Sequence, residues 1–166
     1  WDAEIGPNVL NIGFPRVNRG VAILGETLFV GTLDARLVAL DARSGAVRWD
    51  VEVADNSIGF SITMAPLALD GIVIGGMSGA EAGVRAFIDA YDPNTGEQIW
   101  RFYTIPSPGE PGSETWPADG VAAARGGGAT WQSGSYDPEL NLIYWGTGNP
   151  NPDYYGDIRL GDNLYT

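Results

Sequence analysis

Short apolar and aromatic runs, each cut by glycine, proline or acidic residues, follow one another along the chain, and helical spacing is hard to find anywhere. From Val21 the runs are Val21 to Leu24, Thr27 to Thr32, Arg36 to Asp41 and Ala46 to Trp49, which predict four strands with tight connections. The same four recur as Met64 to Leu69, Ile72 to Gly76, Val84 to Asp92 and Glu97 to Phe102. A further pair, Thr130 to Tyr136 and Leu142 to Gly146, flanks Asp137-Pro138-Glu139, a turn with proline at its second position, and predicts an antiparallel hairpin. The pattern is all-β.

The repeat is sharpest in its last two strands. ALDARSGAVRW (Ala39 to Trp49) matches AYDPNTGEQIW (Ala90 to Trp100), with Ala, Asp, Gly and Trp at equal spacing and a period of 51 residues. Asp41 and Asp92 can bond turn amides, Gly45 and Gly96 can take the positive φ of a tight turn, and Trp49 and Trp100 can pack on a neighbouring unit. Aligning second strands brings Gly31, Gly75 and Gly146 together, so a third unit begins and stops after its second strand. Thr104 to Arg125, rich in Pro and Gly, is an excursion without periodicity. Four-stranded units repeating at about 45–50 residues and closing on a Trp turn are the signature of a β-propeller of roughly 4–8 blades. The chain holds about two and a half such blades, which would leave open sheet faces and edges. The expected division is one partial propeller domain over residues 1–166, with blades at approximately 17–53, 60–103 and 128–166, the last incomplete.

Composition narrows the chemistry. The net charge of -12, with nine arginines and no lysine, repels a phosphate backbone, so nucleic acid is excluded as a partner. Zero cysteines and zero histidines leave only oxygen ligands for a metal, which favours a hard ion of the calcium type. No apolar run is long enough for a transmembrane segment, and no basic region followed by an apolar core opens the chain. The chain starts at Trp1 rather than Met, and an internal fragment of a longer protein is expected.

GGGATWQSGSYDPELNLIYWGTGN (Gly126 to Asn149) is the most informative stretch. Trp131 is expected just inside the first hairpin strand, after three glycines that would let a flat ligand lie on the indole. Asn149 is expected just past the second strand, at the same edge. Alone, each has an ordinary reading as a core Trp and a turn Asn.

At this point the residues resemble a family: the pyrroloquinoline quinone (PQQ) dependent alcohol dehydrogenases, the methanol/ethanol quinoproteins. The resemblance runs from about Val17 through VNRG (Val17 to Gly20), the paired Trp turns, ITMAP (Ile62 to Pro66), SGAEAGVRA (Ser78 to Ala86), ATWQSGSYDP (Ala129 to Pro138), WGTGNP (Trp145 to Pro150) and GDNLYT (Gly161 to Thr166). It implies an eight-bladed propeller in the parent. It also implies cofactor contacts by Arg19, by the hydroxyls of Thr63 and Ser78, by the backbone of Gly79 and Ala80, and by Trp131 stacked under the quinone with Thr130 beside it. The metal ligands it implies are Glu81 and Asn149, around Ca2+ or a lanthanide ion. Two departures stand out. Gly13-Phe14 occupies the place of an adjacent-cysteine pair found in many members, and Ala129 stands where some have a cofactor-bonding Thr.

The implied activity is oxidation of a primary alcohol to an aldehyde by hydride transfer to metal-activated PQQ, with a cytochrome c-type acceptor taking the electrons and a periplasmic location. The family's catalytic Asp would lie downstream of Thr166, so no acid in this chain is given a catalytic role, and the chain alone is expected to be inactive. A non-catalytic periplasmic propeller scaffold and a sugar-oxidising quinoprotein are the competing readings. VNRG, SGAE and GTGNP argue for the alcohol branch.

Overall fold

The computed structural model describes residues 1–6, 9, 17–69 and 71–166. Gly13-Phe14 lies outside them. Two four-stranded antiparallel sheets and one hairpin carry the chain, with only short 3-10 turns between them among the described residues. The first sheet runs β1 (Ala22–Leu24), β2 (Thr27–Gly31), β3 (Arg36–Asp41) and β4 (Val47–Glu52), each paired to its sequence neighbour. The second repeats that order with β5 (Leu67–Leu69), β6 (Ile72–Gly76), β7 (Phe87–Tyr91) and β8 (Gln98–Tyr103). The third unit is the hairpin β9 (Ser135–Asp137) and β10 (Leu142–Tyr144). No described helix is long and apolar enough to cross a membrane.

The sequence repeat is a structural repeat down to its irregularities. The register of β3 on β4 slips between Ala39 and Leu40, and that of β7 on β8 between Ala90 and Tyr91, at matching positions. Each slip leaves one extra residue, Arg48 or Ile99, on the outer strand, which keeps Trp49 opposite Ala39 and Trp100 opposite Ala90. The turns behave as their residues require. The Asp41 carboxylate accepts from Arg43 N and Ser44 N, the Asp92 carboxylate from Asn94 N and Thr95 N, and Gly45 and Gly96 take φ of +72° and +74°.

Trp49 joins the first two sheets. It is 9% exposed, lies 5.7 Å from the Phe29 ring, and donates its indole N–H to Pro93 O in the second sheet's turn at 3.0 Å. A Cβ on Gly96 would stand 2.9 Å from that indole, so the turn glycine is required twice, for φ and for space. Phe29, Leu37, Ala39 and Trp49 pack with Val73 and Tyr91 into one core between the sheets. Behind it Arg101 holds buried Asp89 with two bonds of 2.7 and 2.6 Å and reaches Val53 O of the first unit.

Several expected strands are shorter. Met64 to Pro66 precedes β5 as irregular chain, and Val84 to Ala86 leaves the second sheet to run beside Gly127, with Arg85 and Gly127 forming a parallel bridge. The third hairpin starts at Ser135 rather than Thr130, so Trp131 stands before its strand, not inside it.

Candidate functional site

One end of the molecule gathers the connections between second and third strands and those between units. There Gly126-Gly127-Gly128 threads between Val84–Ala86 and Asn149–Asn151. Gly127 N donates to Val84 O at 3.1 Å, Gly128 N to Asn149 O at 2.8 Å, and Asn151 N to Gly126 O at 3.1 Å. All three glycines are buried with positive φ, and Cβ atoms on them would meet Val84 O, Asn151 N and the Thr104 hydroxyl at 2.3, 2.6 and 2.5 Å. The triplet is therefore a close-packed seam between chain segments and not an open floor for a ligand, which corrects the expectation from the sequence.

Trp131 lies just beyond the seam and keeps 37% of its surface exposed. The Arg19 guanidinium stands over its ring, 4.6 Å from the centroid. Arg19 is fixed in turn by its backbone N–H and its Nη1, which donate to Thr63 O at 3.0 and 3.3 Å. The Thr63 and Ser78 hydroxyls meet at 2.5 Å. One hydrogen of the pair makes that bond, so the other is left for a further acceptor. Ser133 Oγ donates to Ala65 O at 2.8 Å, tying the segment after Trp131 to the segment after Thr63.

Ser78 leads into a 3-10 turn, Ala80–Ala82, entered and left through Gly79 (φ +106°) and Gly83 (φ +83°). Gly79 is small for a reason the sequence did not reveal: a Cβ there would stand 1.9 Å from Gly59 O. Although Gly79 and Ala80 are buried, their backbone N–H groups have no protein acceptor among the described residues, an arrangement that a polar ligand edge would satisfy.

Glu81 is exposed in this turn and Asn149 is exposed in the third unit. Neither ends a strand, as the sequence had suggested: each lies five residues past the second strand of its unit, after Gly76 and Tyr144 respectively. Asn151 Nδ2 donates to Ala80 O, so the residue before Glu81 and the second residue after Asn149 touch. Neither the Glu81 carboxylate nor the Asn149 amide is bonded to protein among the described residues. Both offer oxygen donors of the type a hard cation takes. No group of three or more Asp or Glu side chains among the described residues could hold a metal by itself.

Thr130 differs from the rest. It is fully buried, its hydroxyl donates to Phe87 O at 2.7 Å and accepts from Met77 N at 2.7 Å, and its backbone N–H donates to Met77 O. That hydroxyl clamps the Trp131 segment to the second sheet and is not presented to a ligand. Sequence reasoning also missed Asn151 and Arg85. Arg85 stacks 3.8 Å from the Tyr103 ring centroid, donates to Ile105 O and pairs with Glu110 at 2.5 Å, pinning the excursion that follows β8. The Glu110 carboxyl is held below the usual carboxylate range by the Ser107 N–H and by Arg85. In that excursion Trp116 donates to Leu164 O at 2.6 Å, which explains why GDNLYT lies against it. The only hint of these contacts in the sequence was an Arg after SGAEAGV and an Asn after GTGNP.

Residues 17–166 match the family described as the glucose/ethanol/alcohol dehydrogenase beta-propeller domain, a PQQ family. A quinohemoprotein alcohol dehydrogenase, ADH IIB of Pseudomonas putida, is 47% identical over 90% of this chain and 23% of its own length. Subunit 1 of the methanol dehydrogenase (cytochrome c) of Methylorubrum extorquens is 41% identical over 90% of this chain and 27% of its own. Among solved structures, a europium-containing methanol dehydrogenase superposes with a TM-score of 0.82 at 39% identity, over 90% of this chain and 29% of that one. The chain thus spans about a quarter of the length of the relatives it matches. The two Trp-turn sheets, the third hairpin and these matches together make this chain an all-β member of the PQQ-dependent alcohol dehydrogenase β-propeller family.

Proposed function

We propose that this chain is the quinone- and metal-binding part of an alcohol dehydrogenase that oxidises a primary alcohol to an aldehyde. The observation that carries the reading is the continuous run of contacts from exposed Trp131 through Arg19, Thr63 and Ser78 to the Glu81 turn, and through Asn151 to Asn149. A buried structural tryptophan would explain none of it.

The side chains divide the work by their chemistry. Trp131 offers a flat apolar face, while Arg19 above it presents a planar fork suited to a carboxylate. The free hydrogen of the Thr63–Ser78 pair and the N–H groups of Gly79 and Ala80 suit the polar edge of the same ligand. Glu81 and Asn149 would hold a hard cation, Ca2+ or a lanthanide; Glu81 brings the negative charge and Asn149 a neutral carbonyl. When bound, PQQ supplies a two-electron acceptor for hydride from the alcohol carbon, with the cation as Lewis acid. The carboxylate base that takes the alcohol proton is expected beyond Thr166, and electrons would pass on to a cytochrome c-type acceptor, as the name of the Methylorubrum relative says of that protein.

The test is Trp131→Ala in the full-length enzyme, reading quinone absorbance per folded protein and dye-linked alcohol oxidation with added PQQ and calcium. Loss of bound quinone with the fold retained is expected. Undiminished quinone content and turnover would overturn the reading.

A further inference from the structure

Asn151 joins the two segments that carry Glu81 and Asn149. Its side-chain nitrogen donates one hydrogen to Ala80 O and the other to Arg125 O, the latter at 3.2 Å, while its backbone N–H donates to Gly126 O at 3.1 Å. Both amide hydrogens are thereby used. Ala80 O also accepts from Gly83 N at 2.8 Å, the bond that closes the 3-10 turn. The carbonyl thus has one partner inside the turn and one in the neighbouring unit, and it belongs to the same peptide group as the Glu81 nitrogen.

On the other side, only Pro150 separates Asn151 from Asn149. Pro150 is buried, its ring restricts φ, and it bridges antiparallel to Gly127. Asn149 O accepts from Gly128 N at 2.8 Å, so its backbone is held on the glycine seam. The Glu81 turn is less constrained. It is one turn long, sits between two glycines with positive φ, and exposes Glu81, Ala82 and Gly83. The Asn151 side chain bonds inside this turn, at Ala80 O, whereas the glycine seam bonds only beyond its end, as at Val84 O.

We propose that Asn151 is a positioning residue that sets the spacing between Glu81 and Asn149 for one hard cation. The inference rests on the reading above that these two side chains share an ion. Groups that orient ligands in this way commonly change metal affinity by about 10–100-fold when removed. A role confined to folding would instead lower the melting temperature of the metal-free protein and leave the ion affinity of the folded protein unchanged.

The experiment titrates terbium(III) into metal-free full-length protein, reading tryptophan-sensitised luminescence and its displacement by calcium, alongside melting without metal. The variants are Asn151→Ala, Asn151→Ser and Glu81→Gln. Asn151→Ala should weaken terbium binding by about 10-fold or more. Asn151→Ser, which keeps one donor, should fall between it and the parent, and it carries the test if the alanine variant does not fold. Glu81→Gln should also weaken binding. Weakened binding in Glu81→Gln with unchanged affinity in both Asn151 variants would overturn the positioning role alone. Unchanged affinity in Glu81→Gln would overturn the shared-ion reading and this inference with it.

Discussion

Trp49 and Trp131 are the same residue put to opposite uses. Trp49 is 9% exposed, its N–H is bonded to Pro93 O, and one side of its ring presses on Gly96 of the next sheet. Trp131 is 37% exposed, and the guanidinium over its ring belongs to a side chain that is itself exposed. The difference lies in what each indole faces. A turn glycine with no room for a Cβ encloses the first, while the second is held through Thr130 and the glycine seam and stays partly open to solvent. Scaffold and site are thus built from adjoining chain, with the scaffold contacts directed sideways between sheets and the site contacts directed along one end.

The largest effect is expected from Trp49→Ala in the full-length protein. Removing a buried aromatic from between two sheets costs about 3–5 kcal/mol, read as a loss in denaturant or thermal stability, with quinone content per folded molecule unchanged. If that variant kept its stability and lost quinone, the division between the two tryptophans would be reversed. Gly127→Ala should strike both sides of the comparison. Its Cβ would stand 2.6 Å from Asn151 N at a φ of +109°, so a strain of about 1–3 kcal/mol should appear in melting and be accompanied by weaker metal binding. A stability loss with intact metal binding would show that the seam does not set the site.

Trp131→Ala should cost little stability and lower quinone retention, by a stacking contribution of about 0.5–1.5 kcal/mol on top of the apolar contact area lost with the indole. The smallest effect is expected from pH. The Asp41 carboxyl is held well below its ordinary value by the Arg48 side chain and the Ser44 amide, and Asp92 is lowered by the amides of Asn94 and Thr95. A carboxylate lowered in the folded state adds stability above its unfolded pKa of about 3.9, and that stability is lost as pH falls through the folded value. Asp92→Asn should therefore flatten the acid limb of the stability profile and leave quinone retention at neutral pH untouched. An unchanged acid limb would rule out the turn carboxylate as a contributor.

The repeat could be read from sequence because its residues answer local demands. Asp41 and Asp92 serve amides two and three positions on, and Gly45 and Gly96 answer a backbone angle, so the same letters recur wherever the turn does. The start of the third hairpin could not, because the segment before Ser135 bonds to other parts of the chain, Thr130 to Met77 and Phe87 and Ser133 to Ala65. Thr130 shows the limit most clearly. A hydroxyl aimed at a ligand and a hydroxyl bonded to Phe87 O look alike in sequence, and only the fold separates them. Asn151 escaped notice for the same reason, since its partners Ala80 and Arg125 are remote in the chain and contribute only backbone carbonyls. Trp131 and Asn149 stand out in the Gly126 to Asn149 stretch itself and Glu81 through the resemblance, and the fold brings their segments together through contacts that no single motif contains.

The central claim is that Glu81 and Asn149 serve one cation across two units of the propeller. Its most direct test is a double-mutant cycle in the full-length enzyme, with calcium affinity measured calorimetrically on metal-free parent, Glu81→Gln, Asn149→Ala and the double variant. Ligands of one ion should couple, so that the second substitution costs clearly less or more than it does alone, by at least about 0.5 kcal/mol. Strictly additive losses, or a calcium affinity unchanged in Glu81→Gln, would contradict it.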